Sequence, residues 1–578
     1  MIKILLWFFI SFSFLLSENE FHEGPYGFNY FDIAGPFTVI DMNMELGDVN
    51  QDEIVNILDI IATINHILGF DLFSTEQISQ ADLNFDSSVD ILDVVSLAGL
   101  VLSPEPSGWD FESQWNGQES YVFITIGPSS STVLWDAGDI SDLLENSPDN
   151  VHYFFLSNRS TYFSDVRNKK NIIDVLLLSL SDEEQSHWKS HLHFVPNKCD
   201  SHSEEFVEAV CDVRSISIDR FQRWREVGYL GNPANFSGTY ISYLSHEATY
   251  FNYEFEALHE PGMDYDEITV FEREYYTGGW AATISQLVDL PDNEALNGYS
   301  GLSVELLRGC PDANMNYSDA GCDDYDRIAR MYVCDEDGSN CNEIAKWITP
   351  FDRQPHHLTD ISSLLPVLKP GGIKTIKFQE SGWPNSLLTL KLRFYKNFNT
   401  SEIYPQEFIP AWNGTVLFNP DYGENRPPIV FEVPENAEKV EFVSFMTGHG
   451  WGSAGCYNCA EFCNSRHDFI INGGVGEFQK AHPEASDNNY CMELSTIVQG
   501  VVPNQYGTWG YGRAGWCPGM DVPPYVIDIT QHVSIGEENI IDYDACRVVG
   551  NNCVSPPVCQ GDGYCPEIAM SSYLIISY

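Results

Sequence analysis

The sequence predicts a multidomain chain whose C-terminal half is all-β, preceded by a small α/β domain and by a helical module built on two calcium-type loops. Three observations carry that reading. A spaced set of Asp and Asn residues occurs twice near the N-terminus, 34 residues apart. Between residues 114 and 235, strand-like apolar runs alternate with helical patterns. From Asp264 onward, short strand-like runs alternate with turns rich in Gly, Pro, Asn and Asp, the pattern of antiparallel sandwiches. At 578 residues the chain is too long for one compact domain.

The first residues bear on the compartment. Lys3 gives a positive start, Ile4 to Leu16 form an apolar run, and Ser17 offers a small residue for cleavage. That run is too short to span a bilayer, so residues 1–17 are expected to be a signal peptide. No later stretch is long and apolar enough to span, so the expected product is secreted, without a membrane span, or held at the cell surface through a partner. The 15 cysteines suit an oxidising compartment. Proximity pairs Cys199 with Cys211, Cys310 with Cys322, Cys334 with Cys341, Cys491 with Cys517, and Cys559 with Cys565. An odd count leaves one thiol over. A formal net charge of −55 argues against a nucleic-acid partner, because such binding is driven by clustered Lys and Arg.

The repeat lies within residues 41–103. Asp48, Asn50, Asp52, Asn56 and Asp59 recur as Asp82, Asn84, Asp86, Asp90 and Asp93. They fall at loop positions 1, 3, 5, 9 and 12, a spacing that wraps oxygens around one hard cation. Each loop runs into an apolar helical pattern, Ile57, Ile60, Ile61 and Ile64 in the first, Ile91, Val94, Val95 and Ala98 in the second. Two such units with Asp at position 12 resemble dockerin modules. The resemblance implies structural Ca²⁺ and a cohesin-like partner. Position 6 departs from it, being Glu53 and Ser87 where a loop of this kind uses Gly for its sharp turn, so weaker calcium binding is expected. Ser103 to Ser107, with Pro104 and Pro106, reads as a linker.

Residues 114–235 form the predicted α/β domain, of unknown role. Tyr121 to Ile126 and Val151 to Leu156 read as strands; Glu204 to Val213 and Ile218 to Val227 read as helical. His187, His191 and His193 lack a defined partner set and read as surface histidines, since metal sites need several converging ligands.

In the C-terminal half, Ile328 to Val333, Ile373 to Phe378, Leu388 to Phe394 and Val440 to Phe445 read as strands. Pro405 and Pro410 mark the expected seam between two jelly-roll-like domains, 262–397 and 400–578. Four ordered motifs lie here. They are Cys322-Asp323-Asp324-Tyr325-Asp326-Arg327, Ile348-Thr349-Pro350, Cys459-Ala460-Glu461-Phe462-Cys463, and Arg513-Ala514-Gly515-Trp516-Cys517-Pro518-Gly519-Met520. In this order they resemble bacterial peptide N-glycosidase F. The resemblance covers over half the chain, from Asp264 onward. It implies two adjacent antiparallel eight-stranded jelly rolls with an active site at their interface. It also implies hydrolysis of the N-acetylglucosaminyl–asparagine bond of an N-glycoprotein or glycopeptide, with no metal or other cofactor for catalysis.

Carried over by motif, the principal catalytic carboxylate falls on Asp326 and its support on Glu461. A third carboxylate falls on Glu380, one residue further from Trp383 than the family has it. Arg327, Arg513, Tyr325 and Trp451 are the implied substrate-binding residues, with Tyr325 standing where the family has Trp. The resemblance also implies a Cys459–Cys463 disulfide and gives Cys456 no counterpart. The residue types suit the chemistry. Amide hydrolysis needs a positioned water, a base, a proton donor and an oxyanion partner. Paired carboxylates can divide the acid and base roles, and Arg can bind the developing charge. Two other readings are open. One is a copper monooxygenase of the same paired fold using His356, His357, His449 or His467. The other is a glycan-binding or scaffold protein without catalysis.

Overall fold

In the computed structural model, residues 21–578 are described except 29–31, 43–46, 51, 53–54, 82–87, 103–107, 128–143, 145–146, 148–149, 212–215, 227–252, 254–255, 258–263, 312–314, 316, 319–321, 324, 351–353, 383–384, 397–402, 451–454, 488–489, 493–510 and 560–563. The expected signal peptide, Asp82, Asn84, Asp86, Glu53, Ser87, the expected 103–107 linker and Trp451 therefore lie outside the described residues. Two compact units divide at residue 231.

The first unit holds a five-stranded sheet. Ser120–Ile126, Val151–Ser157 and Leu192–Lys198 run parallel, and Ile216–Ile218 and Trp224–Glu226 continue the sheet antiparallel. Helices Tyr162–Leu177, Asp182–His191 and Glu204–Val210 belong to this α/β domain. Asp182–His191 starts cleanly, with Ser181 and Glu184 forming a reciprocal capping box. It ends directly in the strand that begins at Leu192. The expected helix over Ile218 to Val227 is instead a strand hairpin. Its apolar residues Ile218, Phe221 and Trp224 enter the sheet's core, which a helical spacing resembled.

The core of this domain reaches further toward the N-terminus than residue 114. Thr38–Val39 pairs antiparallel with Trp109–Asp110. Val39, Trp109 and Phe111 are buried with Tyr121, Phe123 and Phe154, and Phe37 stacks on Phe111. Residues 34–42 thus belong to the α/β core, and the calcium module leaves and re-enters between two paired strands. That module contributes helices Ile57–Ile67, Thr75–Ala81 and Ile91–Leu102. Asn56 caps the first, its side chain accepting from Leu58 N. Asp59 and Asp93 are fully buried, and each accepts from the backbone N–H three residues earlier, of Asn56 and Asp90. Among the described residues, the two loops thus share the same bond at their last position.

The second unit holds two antiparallel sandwiches. In the first, the strands Tyr265–Tyr276, Ser386–Tyr395, Gly301–Pro311 and Tyr317–Ser318 form one sheet, with His356–Asp360 also on Gly301–Pro311. Gly279–Leu290, Gly372–Gly382, Ile328–Cys334 and Asn342–Ile348 form the other. Leu302, Val304 and Leu306 meet Met331, Ala345 and Phe378 between them. In the second sandwich, Pro405–Leu417, Glu567–Ser577, Lys439–His449 and Tyr525–Asp528 face Ile429–Glu432, Glu538–Val549, Ser465–Ile471 and Gly476–Ala481. Pro405 starts a long strand, where a missing N–H is tolerated, and Pro410 sits beside an irregularity in its register.

The sandwiches share a wall. Phe442, Met446, Met570 and Leu574 fill the second core, while Val443, Phe445, Tyr573 and Ile575, on the other faces of the same strands, join the first. Polar groups cross as well. Lys346 Nζ donates to Ala569 O at 3.2 Å, and Ser571 Oγ and Tyr573 Oη donate to Glu343 Oε2 and O at 2.8 and 2.7 Å. Met520 and Val522 exchange backbone bonds with Ile348 and Lys346. These ties fix the two sandwiches edge to edge where the carboxylate-bearing turns emerge.

All five expected disulfides are present, together with Cys459–Cys463 and Cys546–Cys553. Cys456 is buried and in none of them.

Candidate active site

The first carboxylate stands on a tied turn. Cys322 is bonded to Cys310, and Asp323 Oδ1 accepts from Tyr325 N at 3.1 Å. Arg327 N donates to Thr349 Oγ1 and Thr349 N to Arg327 O, both at 2.8 Å. Asp326 lies between these fixed points. It is part-buried and keeps some contact with solvent.

The second carboxylate comes from the other sandwich. Glu461 N donates to Gly450 O, and Glu461 O accepts from Ala514 N at 2.9 Å. Ala514 O accepts in turn from Gly448 N. Three segments, 448–450, 459–463 and 513–516, are thus laced together by their backbones. They leave no room for side chains. A Cβ on Gly448 would lie 2.3 Å from Ala460 O, and Gly515, at φ +86°, would place one 2.4 Å from Met446 O.

Arg513 joins the two carboxylates. Its side chain is 2% exposed and its Nε lies 3.4 Å from Glu461 Oε1. Nη1 donates to Tyr511 O at 2.8 Å, and the guanidinium sits 5.0 Å from the rings of both Phe462 and Trp516. Its charge acts on Asp326 and Glu461 alike. Burial raises the affinity of both acids for protons. In Asp326 this is opposed by Arg513 and Arg327. In Glu461 burial is opposed by Arg513 but reinforced by Asp326, and its pKa is pushed up to about 7. In both acids burial favours holding a proton and the Arg513 charge opposes it, so the two titrate as a linked pair.

Arg327 does not clasp Asp326. Its Nε and Nη2 donate to Asp323 at 2.7 and 3.2 Å, and its guanidinium lies 4.1 Å from the Trp280 ring and 5.1 Å from that of Tyr325. Trp280 is 71% exposed and Tyr325 50%. The result is a cation sandwiched by two open aromatic rings beside Asp326.

Glu380 is buried on the strand Gly372–Gly382, and both its oxygens accept from Arg308, at 2.9 and 3.0 Å. Its hydrogen bonds go to Arg308 and Tyr276, not to Asp326, Arg513 or Glu461. Both acceptor oxygens are already engaged by a buried guanidinium, which fits anchoring rather than proton transfer. Electrostatic influence links Arg308 to Asp323 and Arg327 to Asp326. The order Glu380, Arg308, Asp323, Arg327, Asp326, Arg513, Glu461 is thus a line of alternating charge running from the first sandwich's interior to the cleft. Arg308 and Trp280 escaped the sequence reading because their partners Glu380 and Arg327 are distant in the chain and no local motif marks them; Asp323 stands within the first motif, four residues before its partner Arg327.

The histidines weighed for copper are dispersed. His356 meets Glu305, His449 meets Thr447, and His467 meets Tyr543. Among the described residues, no group of three or more ligating side chains includes them or His357. In the calcium module, the carboxylates of Asp48, Asp52 and Asp59 lie within 4.8 Å of one another. Asp90 and Asp93 are described in the second loop.

Residues 418–575 match the family described as Peptide-N-glycosidase F, C terminal, and residues 46–102 the Dockerin type I domain. The chain is 27% identical over 273 residues to Peptide-N(4)-(N-acetyl-beta-D-glucosaminyl)asparagine amidase F of Elizabethkingia miricola, covering 44% of this chain and 69% of the relative. A solved structure of PNGase F, a glycosylasparaginase from Flavobacterium meningosepticum, aligns at 20% identity and a TM-score of 0.41, over 54% of this chain and 96% of that one. PNGF-II aligns at 15% identity and a TM-score of 0.39, over 54% and 65%.

Proposed function

We propose that this chain, which carries a peptide-N-glycosidase F C-terminal domain and a dockerin type I module, is a peptide-N4-(N-acetyl-β-glucosaminyl)asparagine amidase. It hydrolyses the amide joining asparagine to the first N-acetylglucosamine and so releases N-glycans from glycoproteins. The paired folds are read as eight-stranded jelly rolls. The observation that carries the chemistry is the Asp326–Arg513–Glu461 group, two carboxylates whose proton affinity burial raises, under the charge of one buried guanidinium.

Asp326, the anion, takes a proton from the attacking water. Glu461, protonated, gives one to the departing nitrogen, and Arg513 offsets the charge that develops on the carbonyl oxygen. Trp280 and Tyr325 offer flat apolar faces to sugar rings, with Trp451 assigned to binding by its motif. Arg327 fixes those rings and Glu380, through Arg308, is a positioning residue. All of this is done by side chains of the chain itself.

Calcium belongs to the module. Three converging carboxylates, one of them fully buried, suit a hard cation. Asp48, Asn50, Asp52, Asn56 and Asp59 would hold one ion, and Asp82, Asn84, Asp86, Asp90 and Asp93 a second. Ile57, Leu58, Ile91 and Leu92 are more than half exposed at matching positions of the two helices, which suits an apolar partner surface of the cohesin type. Secretion follows from the signal peptide and the disulfides; among the described residues no helix is long and apolar enough to cross a membrane.

The test is direct. Incubated with a denatured N-glycoprotein, the protein should release intact glycan and leave a gain of roughly 1 Da at the site, as Asn amide becomes Asp acid. Asp326→Asn should cut the rate by roughly 10²–10⁴-fold with the fold intact. Glycan binding without release on several glycan classes would overturn the enzyme and leave a binding protein.

A further inference from the structure

We propose that the α/β domain holds one borderline divalent metal ion, of the zinc class, on Glu119, His152 and His191. The sequence set His191 and His193 aside as surface residues. The structure corrects this, since His193 is buried and His191 is 13% exposed at its side chain. Their partners come from the amino ends of two neighbouring strands, far away in the chain.

Three ligand atoms, one from each residue, lie within 4.8 Å of one another. His152 Nε2 is 3.1 Å from Glu119 Oε2, and His191 Nε2 is 3.6 Å from Glu119 Oε1. Donor atoms on a tetrahedral zinc, each at 2.0–2.1 Å, stand about 3.3 Å apart. The observed spacings straddle that value.

The protons make the stronger argument. Asp41 Oδ2 lies 2.7 Å from His193 Nδ1, and a carboxylate only accepts, so that nitrogen carries hydrogen. His193 Nε2 is then bare and accepts from His152 Nδ1 at 2.9 Å. This leaves His152 Nε2 bare toward Glu119. On the other side, His191 Nδ1 lies 2.9 Å from the carbonyl of His187, which only accepts, and 3.0 Å from Ser190 Oγ, which itself donates to that carbonyl at 2.7 Å. With the Ser190 hydrogen on the carbonyl, Nδ1 is the donor to both oxygens and His191 Nε2 is bare. With this tautomer and neutral imidazoles, two nitrogen lone pairs and a carboxylate converge with no hydrogen between them. A cation there resolves the conflict. Each histidine already has the outer hydrogen bond that orients a metal-bound imidazole, His152 through His193 to Asp41 and His191 to a backbone carbonyl.

Two imidazoles and one carboxylate are a zinc ligand set that leaves a fourth position for water or an anion. Glu119 is 22% exposed at its side chain, so that position faces solvent. This centre lies in the first unit and plays no part in the amide hydrolysis proposed above.

The experiment uses the full chain without a histidine tag, stripped with a zinc chelator and then kept in excess calcium. Zinc is titrated and the retained metal measured by mass spectrometry; cobalt is used in parallel for its visible absorption. About one zinc per chain is expected, with a cobalt spectrum of four-coordinate type. E119Q and H191A should each weaken binding at least 10-fold, and Asp41→Asn by roughly 10–100-fold through the outer hydrogen bonds. Glycan release and near-ultraviolet circular dichroism check that the variants are folded. Wild-type protein that retains no zinc or cobalt in calcium would overturn the site and assign the charge to a proton on an imidazole. Binding undiminished in E119Q and H191A would overturn it too. If a variant fails to fold, the wild-type stoichiometry and cobalt spectrum still decide.

Discussion

Glu461 is held where its ionisation costs the fold. Burial and the neighbouring Asp326 raise its pKa to about 7, above that of a free glutamate. The stability that a neutral Glu461 allows is complete below its unfolded pKa and is lost as pH rises through about 7. Glu461→Gln removes that ionisation. The variant should therefore be more stable than the parent at pH 8, by roughly 1–3 kcal/mol, and about equal to it at pH 5. Thermal melts at both values check this, and glycan release should be lost at both. An inactive variant that is more stable only at high pH separates a strained catalytic acid from a surface glutamate. The same residues show what a sequence can and cannot say at this scale. Asp326, Glu461 and Arg513 stand in short motifs whose order marks them. Glu380 was placed by a looser frame, one residue further from Trp383 than the family has it, and its partner Arg308 is 72 residues away. His191 and His193 were misjudged for the same reason, because Glu119 and His152 reach them through strand pairing.

Elements carry the site by how closely they approach. Next to the end of the strand Lys439–His449 stands Gly448, whose backbone is bonded to Ala514 and whose missing side chain admits Ala460 O. Gly448→Ala should destabilise the second sandwich by roughly 1–3 kcal/mol, since the obstacle is backbone and not a mobile side chain. It should also lower glycan release, because the same segment seats Glu461. A chemical-denaturation midpoint unchanged from the parent would refute the close approach. Strands with one covered face were legible, as Ile328–Cys334 shows by its alternating burial. Glu567–Ser577 was harder to read. It is buried along nearly its whole length because both sandwiches cover it, so no alternation survives. The Ile218 to Val227 segment failed the other way. Core residues three apart suggested a helix where a short hairpin dips three side chains into one core.

At the scale of the molecule, the succession of calcium module, α/β domain and β-rich half was visible in repeat spacing and periodicity. What was hidden is that the first two are nested. Thr38–Val39 and Trp109–Asp110 lie side by side, so residues 47–102 can be excised and the ends joined by a short turn. That shortened protein should keep the α/β fold, with its near-ultraviolet signal from the Trp109, Phe111 and Tyr121 cluster. A chain starting at residue 114 loses Val39, Trp109 and Phe111 from the core and should aggregate. Soluble expression and circular dichroism of the two compare the cases.

Nesting also changes how the protein withstands proteases outside the cell. A module on the end of a chain is shed by one cut in its linker. Here a cut on either side leaves the module joined through the other strand, and the severed arm remains buried by Phe37, Val39 or Trp109. Two separate cleavages are required before the module and the α/β domain part.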